Sequence, residues 1–157
     1  MKVVYLHGLE SKVDPSNPKV LFLNDFFDEA YIPVIDYDNS NTFETLLANI
    51  EEMKADFLIG SSMGGYFGYL IGSKLGIKTI LFNPAVVCRS IDPPVDDSGL
   101  KGSENVIITG DKDDFINPLL VRDFFEDSGV GSFRFINYDG GHRVPFDVFK
   151  VSIESLI

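Results

Sequence analysis

A chain of 157 residues that is 45% hydrophobic and 24% charged has a globular composition with enough apolar material for a core, which sets disorder aside. Its formal net charge of −11 opposes phosphate backbones and anionic lipid surfaces, which proteins neutralise with clustered Lys and Arg, so neither nucleic acid nor a membrane is expected as a partner. No apolar run approaches the ~18 to 20 residues of a membrane span, Lys2-Val3-Val4-Tyr5-Leu6 is too short for a secretion signal, and the lone Cys88 admits no internal disulfide; together these point to the cytoplasm.

The length suits one domain over residues 1–157. Short apolar runs alternate with amphipathic ones, the pattern of βα units around a mainly parallel sheet. Lys2 to Leu6 is expected as the first strand, and after Pro15 and Pro18 the spacing of Val20 to Phe27 suits a helix. Ile32 to Tyr37 is expected as the second strand, Thr42 to Met53 as a helix, and Asp56 to Ile59 as the third strand. Gly64 to Leu75 is a helix rich in small residues, followed by strands at Thr79 to Phe82 and Val106 to Thr109. Between them, Pro93, Pro94, Asp96, Asp97, Ser98 and Gly99 read as a solvated loop. Asn117 to Phe125 is helical in pattern, Phe133 to Tyr138 alternates like a last strand, and Val148 to Ile157 closes as a helix.

Gly60-Ser61-Ser62-Met63-Gly64 matches G-x-S-x-G and falls between a strand and a helix. The pentapeptide alone arises by chance; its position gives it weight. A sharp strand-to-helix turn crowds the positions two before and two after the serine, and glycine relieves that clash. The helix N-terminus then aims unpaired N–H groups at Ser62, where negative charge develops in acyl transfer, so Met63 N–H is the first candidate oxyanion donor. Ser61 occupies the variable position and is expected to point away.

A serine hydroxyl needs a base to take its proton and a third group to hold the base's tautomer. Where a G-x-S-x-G elbow supplies the serine, these follow in the chain order serine, acid, histidine, and of the two histidines only His142, in Asp139-Gly140-Gly141-His142, satisfies it. The acid is expected after the fifth strand, where Gly110-Asp111-Lys112-Asp113-Asp114 offers three aspartates. Asp113 is preferred, three residues past the turn glycine and anchored by Phe115 and Ile116; Asp114 is its rival. Tyr5-Leu6-His7-Gly8-Leu9 ends the first strand, making Leu9 N–H the candidate second oxyanion donor, Gly8 the point of close approach and His7 a loop-fixing side chain.

Together these residues resemble the α/β-hydrolase superfamily and, within it, the compact YqiA-like esterases. The likeness runs through Tyr-Leu-His-Gly at the start, Gly-Ser-Ser-Met-Gly-Gly-Tyr at the elbow, Asn83-Pro84-Ala85-Val86, Gly-Asp-Lys-Asp-Asp in the acid loop and Gly-Gly-His near the end. It implies a three-layer α/β-hydrolase fold, esterase activity on short acyl esters or thioesters, and Ser62, Asp113 and His142 as the triad. The chain starts directly at the His-Gly strand, so about six strands are expected. Residues 87 to 104 leave too little room for a helical lid, so the site is expected to be open, with Phe67, Phe115, Val144 and Phe146 as candidate pocket residues unless they serve as core. No cofactor or metal is called for; the expected partner is a small acyl ester or thioester substrate. The competing reading is a catalytically silent module of the same fold that binds a ligand or a protein. A dinucleotide site is set aside, because His7-Gly8-Leu9-Glu10-Ser11 lacks G-x-G-x-x-G.

Overall fold

A computed structural model describes residues 1–96 and 99–157; Asp97 and Ser98 of the expected loop lie outside the described residues. In chain order the elements are β1 (Lys2–Leu6), α1 (Pro18–Phe26), β2 (Glu29–Tyr31), α2 (Thr42–Met53), β3 (Phe57–Ser61), α3 (Met63–Leu75), β4 (Lys78–Phe82), β5 (Ser103–Gly110), α4 (Pro118–Ser128), β6 (Gly131–Tyr138) and α5 (Phe146–Leu156). The strands form one sheet in the order β2-β1-β3-β4-β5-β6. Each neighbouring pair is parallel, so the mainly parallel sheet expected from sequence is parallel throughout its described strands.

A parallel sheet needs cover on both faces, and the period-two alternation of its strands supplies two apolar surfaces. Val4, Leu6, Leu58, Leu81 and Ile107 face one core with Phe43 and Ile50 of α2, Phe67 and Ile71 of α3 and Phe125 of α4. Val3, Tyr5, Ile59, Ile80, Phe82 and Ile108 face the other, with Leu23 of α1 and Phe149 and Ile153 of α5. The result is three layers. Two of the five helices among the described residues start by the same device: the side chains of Asn17 and Asn117 accept the N–H of Lys19 and Leu119, each at 2.9 Å, and proline follows each at the first helical position.

The second strand is the one misplaced element. Pairing with β1 runs from Lys2↔Glu29 to Val4↔Tyr31, whereas Ile32 to Tyr37 leaves the sheet. Pro33 has no N–H to offer a ladder. Beyond it the segment bonds to a side chain instead: Ile35 N–H donates to His7 Nε2 at 3.0 Å, and the Tyr37 hydroxyl donates to His7 O. Ile35 and Tyr37 are buried beside α2 and α3, so an alternation that resembles a strand belongs to a loop packed on the core. The other elements depart from expectation only at their ends, by three residues or fewer, as where β5 begins at Ser103 instead of Val106. No helix among the described residues is long and apolar enough to cross a membrane, and residues 83–102 hold no α-helix among those described.

Candidate active site

Ser62 sits between β3 and α3 with φ 54° and ψ −117°, a region costly for a residue with a side chain. The surroundings over-determine it. Its N–H donates to Phe82 O at 3.0 Å, and its carbonyl accepts from Gly65 N–H at 3.0 Å, Tyr66 N–H at 3.1 Å and Ala85 N–H at 2.9 Å. The flanking glycines are sterically required: a Cβ on Gly60 would lie 2.3 Å from Gly64 O, and one on Gly64 would lie 2.1 Å from Leu6 O. Ser61 points the other way, accepting from the Tyr5 hydroxyl at 3.4 Å; burial raises the pKa of that phenol and keeps it a donor.

The acid loop and the histidine loop follow β5 and β6, whose carboxyl ends the parallel register sets side by side, Gly110 opposite Tyr138. They are laced together: Asp111 N–H donates to Tyr138 O at 3.0 Å, Lys112 N–H to Gly140 O at 2.9 Å, and Gly140 N–H to the Asp111 carboxylate at 3.1 Å. Lys112 and Asp139 pair across them at the surface. Asp113 turns inward, its side chain 1% exposed. Oδ1 accepts the N–H groups of Phe115 and Ile116 at 2.9 and 2.8 Å, and Oδ2 lies 2.8 Å from His142 Nδ1. Because a carboxylate only accepts, Nδ1 carries the proton of the neutral ring, which leaves Nε2 free to accept from Ser62 Oγ, 3.1 Å away. Ser62, His142 and Asp113 thus meet in one chain of contacts, while Asp111 and Asp114 lie exposed.

The loop after β1 closes the other side of Ser62. A Cβ on Gly8 would come within 3.3 Å of the Ser62 Cβ, so the backbone there passes as close as a side chain permits. His7 is 4% exposed and spends both ring nitrogens on backbone, with Nδ1 2.7 Å from Gly8 O and Nε2 accepting from Ile35. Gly8 O also accepts Ser11 N–H at 3.1 Å. That carbonyl shares a planar trans peptide with Leu9 N–H, so holding one fixes the opposite direction of the other. Among the described residues neither Leu9 N–H nor the Met63 and Gly64 N–H groups at the start of α3 have an acceptor in the protein.

The four candidate pocket residues divide. Phe67 is 2% exposed, packed on Tyr37 and Phe43 at the floor of a depression of about 250 Å³, and Val144 is buried in the α1/α5 core. Both are core residues first. Phe146 rests on Phe22. Phe115 alone lies against the site, 67% exposed with its ring 5.2 Å from that of His142. Asn83, which the sequence marks only as part of the Asn-Pro-Ala-Val motif, is 1% exposed and donates to His142 O at 2.8 Å. No cluster of three His, Cys, Asp or Glu that could hold a metal ion is found among the described residues.

Residues 2–112 match the model of the uncharacterised protein family UPF0227. No curated protein sequence matches the chain. Among solved structures, an α/β-hydrolase enzyme from the metagenome of Mar Chica lagoon sediments in Morocco aligns with TM-score 0.71 at 14% identity, covering 98% of this chain and 89% of that one. Est1E from Butyrivibrio proteoclasticus aligns with TM-score 0.68 at 14% identity over 98% and 85% of the two chains. Esterase PE8 aligns with TM-score 0.69 at 18% identity over 99% and 92%. The chain therefore belongs to the UPF0227 family, the YqiA-like group its sequence resembles, and has the α/β-hydrolase fold.

Proposed function

We propose that this protein is a serine hydrolase that cleaves short-chain carboxylic esters or thioesters through an acyl-enzyme, with Ser62 as nucleophile, His142 as base and Asp113 as orienting acid. The observation that carries the reading is the unbroken contact chain from Ser62 Oγ through His142 to a buried Asp113. His142 Nε2 takes the hydroxyl proton as Oγ attacks the acyl carbon, and Asp113 stabilises the imidazolium that forms. The tetrahedral oxyanion falls to the free N–H groups of Met63 and Leu9, the first backed by the positive end of the α3 dipole. Collapse expels the alcohol or thiol with the proton from Nε2. Water activated by the same imidazole then attacks the acyl-enzyme, releasing the acid and restoring Ser62. Neighbours described as a hydrolase and an esterase support the reading.

The test is a panel of p-nitrophenyl esters and acyl thioesters of graded chain length, run beside Ser62→Ala. Turnover of short acyl substrates that disappears in the variant is expected. A folded wild-type protein inert on the whole panel would favour the silent binding module instead.

A further inference from the structure

The contacts around Asn83 reach the loops of all three candidate triad residues, although the chemistry proposed above gives this residue nothing to do. Asn83 follows the last residue of β4 with φ 42°, in the left-handed region that asparagine tolerates better than most side chains. Its own neighbours bracket Ser62: Phe82 O accepts the serine N–H and Ala85 N–H donates to the serine carbonyl. Its backbone N–H donates to Ile108 O on β5 at 2.8 Å. Its side-chain oxygen accepts Gly110 N–H at 2.8 Å, at the root of the loop that carries Asp113. Its side-chain nitrogen donates to His142 O and to the Tyr138 hydroxyl, both at 2.8 Å. The Tyr138 hydroxyl in turn donates to Gly141 O, next to His142.

No other residue type meets these demands. The position requires one acceptor and two donors on a short planar group, at a positive φ and in a buried place where an unmade hydrogen bond is costly. We propose that Asn83 is a positioning residue that sets the loops of Asp113 and His142 in register with Ser62, so that the imidazole is aligned for proton transfer. The proposal rests on the serine-hydrolase reading for its consequence in turnover, and on geometry alone for its effect on the ring of His142.

Asn83→Asp tests it. The carboxylate keeps the shape, the tolerance for positive φ and the acceptor for Gly110, but turns an oxygen toward His142 O and the Tyr138 hydroxyl where a donor stood. Tyr138→Phe removes one link and leaves Asn83 intact. Three quantities are measured on each variant and the wild type: kcat and KM on p-nitrophenyl acetate with active sites counted, the NMR resonance of the His142 Nδ1 proton shared with Asp113, and the thermal unfolding midpoint. Asn83→Asp is expected to lower kcat on the order of 10²-fold with KM little changed, the scale of a roughly 1 Å misplacement, and to weaken the Nδ1 proton signal. Tyr138→Phe is expected to give a smaller loss of kcat at an unchanged midpoint. Full kcat and an unaltered proton signal in both folded variants would overturn the proposal. If Asn83→Asp does not fold, Tyr138→Phe decides on the same readouts. A wild type inert on the whole panel of esters and thioesters, but whose Nδ1 proton signal disappears in Asn83→Asp, would sink the hydrolase reading and leave the positioning role standing.

Discussion

The two oxygens of Asp113 have different partners, and that division makes the acid assignment testable at the level of single atoms. Oδ1 is held by two backbone N–H groups, so the carboxylate cannot rotate away from His142. Asp113→Asn should cost on the order of 10⁴ in kcat, because an amide can present its NH₂ to Nδ1 and favour the wrong tautomer. Asp114→Asn should cost little, since that side chain lies in solvent; so should Asp111→Asn, which keeps an oxygen for Gly140 N–H. Steady-state kinetics on the three variants checks this, and a large loss at Asp114 with none at Asp113 would refute it. Ser62→Ala is expected to lower kcat by roughly 10⁴ to 10⁶, and Ser61→Ala, which loses a hydroxyl that accepts from Tyr5, by little. The sequence made Ser62 and His142 readable because the elbow spacing and the chain order each leave one choice. Asn83 was not readable in the same way: its partners Gly110, Tyr138 and His142 lie 27, 55 and 59 residues away, and only the parallel sheet gathers them.

Among the elements, the turn from β3 into α3 leaves no room for a side chain at Gly60 or Gly64. Gly64→Ala drives a Cβ against Leu6 O and should cost about 3 kcal/mol or more, enough at this chain length to lower the midpoint by roughly 6 to 12 °C. Gly76→Ala at the end of α3 meets nothing within 4 Å and suffers only from φ +74°, so about 1 kcal/mol is expected there. Thermal unfolding of the two variants separates a clash from backbone strain; equal losses would contradict the close contact of α3 with β1. The central strands were legible because residues buried on both faces give unbroken apolar runs, as in Phe57-Leu58-Ile59. The edge strand β2 was not. Its three paired residues are too few for a pattern, and the stronger alternation after it belongs to Ile35 and Tyr37 entering the core around His7.

Across the whole molecule, the carboxyl ends of β1, β3, β4, β5 and β6 deliver the residues of the candidate site to one end of the sheet, where open α/β folds build their sites. The apolar surface beside His142 is the exposed Phe115 ring, and Phe67 and Val144 are committed to the core. Activity should therefore peak on short acyl chains: each methylene gains at most ~1 to 3 kcal/mol in an apolar pocket, and an open site stops gaining early. A profile of kcat/KM against acyl length checks this, and a steady rise to long chains would refute it. What the sequence left open was which apolar residues serve substrate and which serve packing, because burial is decided by the partner across the sheet and not by residue type. The central claim, that Ser62 is an activated nucleophile, is tested most directly by reacting the folded protein with a fluorophosphonate and locating the adduct by peptide mass spectrometry. One equivalent on Ser62, abolished in Ser62→Ala and strongly slowed in Asp113→Asn, is the expected result; no adduct, or one at another residue, would contradict it.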